Sequence, residues 1–359
     1  MATEIEDQEL QVEPEETDEA ISVAYDIATY PSDFTLSIIA QMWKDGDISI
    51  PDYQREFVWS ISQSSLLIDS FLSGLPVPPV FFYVDEDNLN LVIDGQQRIL
   101  SVVFFLEGYF GHENQGKRQT FRLTGLKEGS RYANKKFSDL SESDQRKLKQ
   151  SVLRAINIRQ LSPVGESTSA YHIFERLNTG GTPLKPQEIR NCVFRGGFTT
   201  ILKDLNNDKH WRKILAKPVK DKHLKDVELV LRVFSLFNSS EKYEKPLKEY
   251  LNQTMKAHDT GKSTLVKKYK EAFPIVTEAI VKQLGDRPFH LRGPLNVAAL
   301  DSVMAVLCEN AHRLSGKKLD SAYNKLLDDD EFDYHTRINT TDKAGVLKRI
   351  ELVRHHFGF

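Results

Sequence analysis

Leu91-Val92-Ile93-Asp94-Gly95-Gln96-Gln97-Arg98 sets a carboxylate, two amides and a guanidinium between two apolar elements. The apolar run has strand character and ends in Asp-Gly. Ile99 to Leu106 then follows as a buried helix. Such a junction aims free backbone N–H groups and the positive end of a helix dipole at one spot, where phosphates and carboxylates bind. Asp94 is an oxygen ligand suited to Mg²⁺, and Arg98 in the first helical turn can fork onto phosphate oxygens. Phosphoryl transfer needs positioning and charge neutralisation more than a covalent nucleophile. Gln96 or Gln97 could orient an attacking water. Asp-Gly is also a common turn, so solvated or capping roles stand beside this reading.

Two other blocks carry comparable groups. Ile50-Pro51-Asp52-Tyr53-Gln54-Arg55-Glu56-Phe57-Val58-Trp59 offers Tyr53 to stack on a base or sugar, Gln54 to bond a base edge and Arg55 to bind phosphate, with Trp59 as core. Phe174-Glu175-Arg176-Leu177-Asn178-Thr179-Gly180-Gly181-Thr182-Pro183-Leu184 ends a helix in glycines. Those glycines cap the helix or let backbone approach a ligand closely.

The three blocks, in order and spacing, resemble the Asp-Gly-Gln-Gln-Arg, Pro-x-Tyr-Gln-Arg-x-x-x-Trp and Phe-Glu-x-x-Asn-x-x-Gly-x-x-Leu motifs of the GmrSD-type restriction family, in its N-terminal nucleotide-handling domain. The resemblance covers roughly residues 35 to 200. It implies a ParB/sulfiredoxin-like α/β fold, nucleoside triphosphate binding and hydrolysis with Mg²⁺, and a role in defence against foreign DNA. Asn178 matches the family's Asn, whose amide would read a base or hold a metal-bound water. Arg190, one helix on, would close the same pocket with Asn191, against an even alternative of a surface or core-rim role. Gly95, Tyr53, Gln54, Arg55, Asn178 and Arg190 form the expected nucleotide-binding set. Asp94, Gln96, Gln97 and Arg98 form the expected catalytic set, with Asp94 on the metal. No Gly-x-x-x-x-Gly-Lys-Ser/Thr occurs, so this is not a P-loop chain. No Cys lies in the turn, which argues against sulfiredoxin-type redox chemistry. Fused members add an HNH-type nuclease. The scattered C-terminal histidines show no matching pattern, so a stand-alone regulatory chain with a partner HNH-type nuclease is expected, and a homo-oligomer stays open. The alternative from another class is a non-hydrolysing nucleotide- or DNA-binding module that signals through its helical domain.

The elements that position these groups follow from the pattern. A helix starts near Thr35 with Leu36, Ile39, Ala40 and Trp43 on one face, and Asp45-Gly46-Asp47 ends it. Ile48 to Ile50 forms a short strand. Ser60 or Ser62 caps a helix lined by Leu66, Leu67, Ser70 and Phe71. Val80 to Val84 and Leu89 to Ile93 form a hairpin whose second strand delivers Asp94. Leu153 to Leu161 is a strand, Tyr171 to Leu177 a helix, and Pro186 opens a helix to Phe194. From Thr199 the patterns are helical: Ile201–Leu215, Leu224–Phe237, Pro246–Met255, Leu265–Leu284, Leu295–Leu314, Leu319–Leu327 and Ala344–Phe357. The fold class is α+β: an acidic, disordered leader at 1–30, a ParB/sulfiredoxin-like nucleotide-binding domain at 31–198 and an all-helical domain at 199–359.

Composition sets the remaining bounds. At 359 residues with 40% hydrophobic and 28% charged residues, the chain can hold two ordinary globular domains. Cys192 and Cys308 sit in apolar helical patterns and read as buried thiols. No apolar run reaches membrane-spanning length and no signal peptide is present, so a cytoplasmic chain is expected. The net charge of −3 hides eleven acids and no Lys or Arg in residues 1 to 43, leaving the rest at about +8. Between Lys117 and Lys136 seven Lys or Arg face one acid, with Phe121 and Tyr132 interleaved. Lys117, Arg118, Lys135 and Lys136 are the candidate DNA contacts there, against the simpler reading of a solvated loop or edge hairpin.

Overall fold

The computed structural model describes residues 10–13, 26–50, 57–114, 117–162, 169–177 and 185–359. The chain divides into two compact units, one over residues 24–183 and the other built from residues 1–23 and 184–359. The sheet-bearing unit is thus inserted between a short N-terminal segment and the helical unit. This is the α+β organisation the sequence implies.

The sheet of the inserted unit begins with β1 (Asp26–Thr35), a strand the sequence reading left unassigned. Pro31 at its centre removes a backbone donor, which an edge strand tolerates. β1 occupies an edge, in the order β1, β7 (Val152–Ser162), β3 (Val80–Val84), β4 (Asn90–Asp94) and β2 (Ile48–Ser49). Helix α1 (Leu36–Asp45) follows at once, its N-cap Thr35 accepting from the Ile38 amide at 3.3 Å. Gly46 ends it in the left-handed region, and β2 (Ile48–Ser49) runs parallel to β4 (Asn90–Asp94). Helix α2 (Ile61–Ser73) is opened by Ser60, which exchanges bonds with Gln63 in a capping box. Its buried face is Ser64, Ser65, Leu67, Ile68, Phe71 and Leu72. Leu66, expected on that face, is half exposed.

β3 (Val80–Val84) pairs antiparallel with β4 and parallel with β7 (Val152–Ser162). Leu91, Val92 and Ile93 are all buried, so both faces of β4 are covered. Val80, Phe82 and Val92 pack with α1, α2 and α3 (Gln96–Glu107), while α5 (Ser169–Leu177) also packs against β4. The basic region starts as an edge hairpin, β5 (Tyr109–Asn114) with β6 (Lys117–Thr120), and α4 (Glu142–Gln150) leads into β7.

In the second unit, α6 (Pro186–Val193) carries its proline in the first turn, as expected. The single helix expected at Ile201–Leu215 is two, α7 (Gly197–Leu205) and α8 (Lys209–Ile214). Asp208 separates them by capping the amides of His210 and Trp211 at 3.0 and 2.8 Å. α9 (Lys225–Leu236), α10 (Leu247–Ala257), α11 (Thr264–Leu284), α12 (Val297–Glu309), α13 (Leu319–Leu327) and α15 (Lys343–Phe357) match expected helices. The six-residue α14 (Asp330–His335), too short for a periodic signal, was not anticipated. Residues Val297 to Cys308 are buried throughout, so α12 runs through the core. Its Asp301 pairs with Arg232 at 2.7 Å, and Arg349 donates to the neighbouring Ser302 at 3.0 Å. Each of these buried charges depends on its partners.

The acidic leader is corrected in part. Leu10 is 5% exposed inside the helical core, and its amide donates to Asp221 at 2.7 Å. Gln11 and Glu13 bond with Leu295 on either side of a parallel Val12–Leu295 bridge. Glu13 accepts from Arg292 at 2.7 Å and from Asn296 at 2.6 Å. A buried leucine and a glutamate bonded to Arg292 and to the buried Asn296 offset the entropy that the surrounding acids cannot. Leu10→Ala should therefore destabilise the helical unit by about 2–3 kcal/mol, read from chemical denaturation followed by circular dichroism. An unchanged midpoint would show that the segment contributes nothing to packing.

Candidate functional site

Strand β4 hands the chain to α3 through Gly95, whose φ of +101° lies in the left-handed region. A Cβ there would sit 2.3 Å from the Val80 Cγ1 atom, so only glycine fits between strand and helix. α3 has no side-chain cap. Its first intrahelical bond is Ile99 N–H to Gly95 O at 3.0 Å, and the amides of Gln96 and Arg98 have no partner among the described residues. This is a helix N-terminus with two uncapped amides among the described residues.

Around it the Asp-Gly-Gln-Gln-Arg side chains divide their tasks. The Arg98 Nη2 atom donates to Asp94 at 2.6 Å and to the Pro79 carbonyl at 3.2 Å, while its Nε is buried without a partner. Asp94 is half exposed. Gln96 is only 8% exposed, and its Nε2 likewise has no partner. Gln97 is already committed: its Oε1 accepts from the amides of Val58 and Trp59 at 3.1 and 3.2 Å. Of the two glutamines left open by the sequence, Gln97 thus pins the segment before α2, and Gln96 keeps an unused donor. The amides of Val58 and Trp59 and the carbonyl of Pro79 shape the site without any side-chain signal to reveal them.

Tyr53, Gln54 and Arg55 lie outside the described residues, but their flanks do not. Ile50 follows β2 beside β4, and Val58 is held by Gln97. Phe57 packs edge-on against Phe104 at 5.1 Å, and Trp59 joins the same core, as expected. Asn178 also lies outside the described residues, directly after α5.

Arg190 is corrected. It is 1% exposed in the helical unit, bonded to Asn252 at 2.9 Å, Glu228 at 2.7 Å, Gln187 at 3.2 Å and the Lys248 carbonyl at 3.4 Å. With its donors so engaged it holds α6 to α9 and α10 and has no fork to offer phosphate. Phe121 and Tyr132 are core residues and cannot stack on bases. Arg118, Arg122 and Arg131 pair with Glu107, Asp139 and Asp144. The Lys135 carbonyl accepts from Leu123, and the Lys136 amide donates to Asp139. Lys117 opens β6.

The family model described as GmrSD restriction endonuclease, N-terminal domain, matches residues 37–195. This stretch is a GmrSD-type N-terminal domain. No curated protein and no solved structure matches the chain. The GmrSD-type stretch holds all three motif blocks and runs past the sheet unit into α6. Among the described residues no group of three or more His, Cys, Asp or Glu could hold a metal, and no helix is long and apolar enough to cross a membrane.

The two arginines should separate by stability. Arg190→Ala should cost about 3 kcal/mol or more, because it strips a buried network of its centre. Arg98→Ala, near a half-exposed partner, should cost less than about 1 kcal/mol. Equal losses in urea denaturation would contradict this division.

Proposed function

We propose that this chain is a Mg²⁺-dependent nucleoside triphosphatase serving as the sensor or regulatory subunit of a restriction-type, DNA-targeting defence system. The observation that carries the reading is the turn at Gly95. The Gln96 and Arg98 amides, the Gln96 Nε2 and the Arg98 Nε are all donors, a set suited to an acceptor-rich anion such as a polyphosphate. Mg²⁺ commonly binds through one or two carboxylates together with substrate phosphates and water. Asp94, a single half-exposed carboxylate, fits a cation that arrives with the triphosphate. When bound, that cation neutralises phosphate charge. Binding would draw Arg98 from Asp94 toward the phosphates, and Gln96 would orient the attacking water. The match of residues 37–195 to the N-terminal domain of a restriction endonuclease family supports a role in defence and contact with DNA; cleavage would be left to an HNH-type partner nuclease. The commitment of Gln97 to backbone amides favours a second reading, a module that binds nucleotide without hydrolysing it.

Phosphate release measured with each nucleoside triphosphate, with and without Mg²⁺ and duplex DNA, tests this. Asp94→Asn and Gln96→Ala should cut turnover at least about tenfold while nucleotide affinity is largely kept. Gln97→Ala should weaken binding by freeing the Val58 segment. Tight nucleotide binding by the wild-type chain with no phosphate released would establish the non-hydrolysing reading instead.

A further inference from the structure

Alongside β2, a cavity of about 470 Å³ opens at the rim of the sheet unit. Trp43 from the last turn of α1 and Leu100 from α3 line it, and Ile48, Ser49 and Ile50 run past it. The sequence puts Trp43 on the core face of α1, and the ring is half buried there, so part of it packs and part is left to the cavity. β2 is two residues long and is the end strand of the sheet. At Gly46, which ends α1 with a φ of +83°, a Cβ would meet nothing within 4 Å. A short end strand and a side-chain-free turn thus leave the space unfilled. Its size and its lining, apolar with an indole and the Ser49 hydroxyl, are those of small-molecule sites.

Two elements lead from this cavity to the Gly95 turn. On α3, Leu100 follows Gln96 by four residues, so the two share a face about 6 Å apart along the axis. Gln96 is 8% exposed, and its Nε2 is buried with no partner. A buried donor in that state costs free energy, which a polar ligand lying across it would relieve. On the sheet, β2 runs parallel to β4 with Ser49 opposite Leu91. Four residues, about 13 Å, separate that level from Gly95. Leu100, the Gln96 amide and the helix N-terminus therefore lie in order along α3.

We propose that this cavity holds the nucleobase of the triphosphate. The base lies against Trp43 and Leu100 with Ser49 at its polar edge, and the ribose passes Gln96 to reach the phosphates at the turn. This rests on the reading of the Gly95 turn as a triphosphate site and says where the rest of the nucleotide goes. An aromatic side chain adds affinity for any base, because every base has a π-face. Phosphates without a base would meet the α3 N-terminus alone.

The test is calorimetric titration of the full chain in Mg²⁺ with a non-hydrolysable nucleoside triphosphate analogue and, separately, with inorganic tripolyphosphate. The analogue should bind at least about tenfold more tightly. Trp43→Ala, and Ser49→Phe, which fills the cavity, should each reduce the analogue to the tripolyphosphate level. Tripolyphosphate affinity should stay unchanged in both, which also reports an intact turn. Should either variant fold poorly, the wild type carries the same test by amide exchange. There the analogue should slow Ile48, Ser49 and Ile50, and tripolyphosphate should not. Equal affinity of the wild type for the two ligands, an advantage that survives both variants, or unchanged exchange at these three amides overturns the proposal and leaves the triphosphate site standing. Failure of both ligands to bind the wild type would instead overturn the reading of the Gly95 turn, and this one with it.

Discussion

The contact between Gly95 and Val80 fixes the geometry on which the proposed site depends. A left-handed residue pressed against β3 leaves no room for a side chain, so α3 must leave the sheet at one angle. That angle brings the open end of α3, the Pro79 carbonyl and the Arg98 guanidinium to the same place. The apolar remainder of α3, Ile99 to Phe105, is buried and cannot shift without opening the core. The proposed function and the packing are thus joined at one glycine. The strand and helix are ordinary, and their junction is not.

Arginine shows how environment assigns a role to one residue type. Arg349 and Arg190 are buried and surrounded by carboxylates, amides and carbonyls. Their charge is spent on holding helices together, and removing either leaves uncompensated partners in the interior. Arg212 braces a loop in the same way. Arg98 differs because its ion-pair partner faces water and its Nε bonds nothing. In the proposed site, an arginine with an unused donor beside a helix N-terminus is placed for an anion, and the other three are not.

Much of this was legible in the sequence because it depends on local chemistry. The Asp-Gly break after Leu91-Val92-Ile93, the Thr35 and Ser60 caps and the proline opening α6 each state an element boundary in residue types. What was not legible depends on distant partners. Residues 26–35 have no assignment in the sequence because Pro31 and its exposed neighbours carry no strand signal, and only pairing with β7 makes them a strand. Leu10 looks like part of a disordered leader until Asp221, 211 residues away, receives its amide. Gln97 and Arg190 carry groups suited to a nucleotide site. Their roles changed once Val58 in one case and Asn252 and Glu228 in the other were found to occupy them.

The central claim, that the α3 N-terminus is an anion cradle for a triphosphate, is met most directly by amide hydrogen exchange of the full chain with a non-hydrolysable nucleoside triphosphate analogue and Mg²⁺. Slowed exchange concentrated at Gln96, Gln97 and Arg98, and lost in Arg98→Ala, is the predicted result. Saturable binding of the analogue with exchange at these three amides unchanged would place the nucleotide elsewhere and contradict the account.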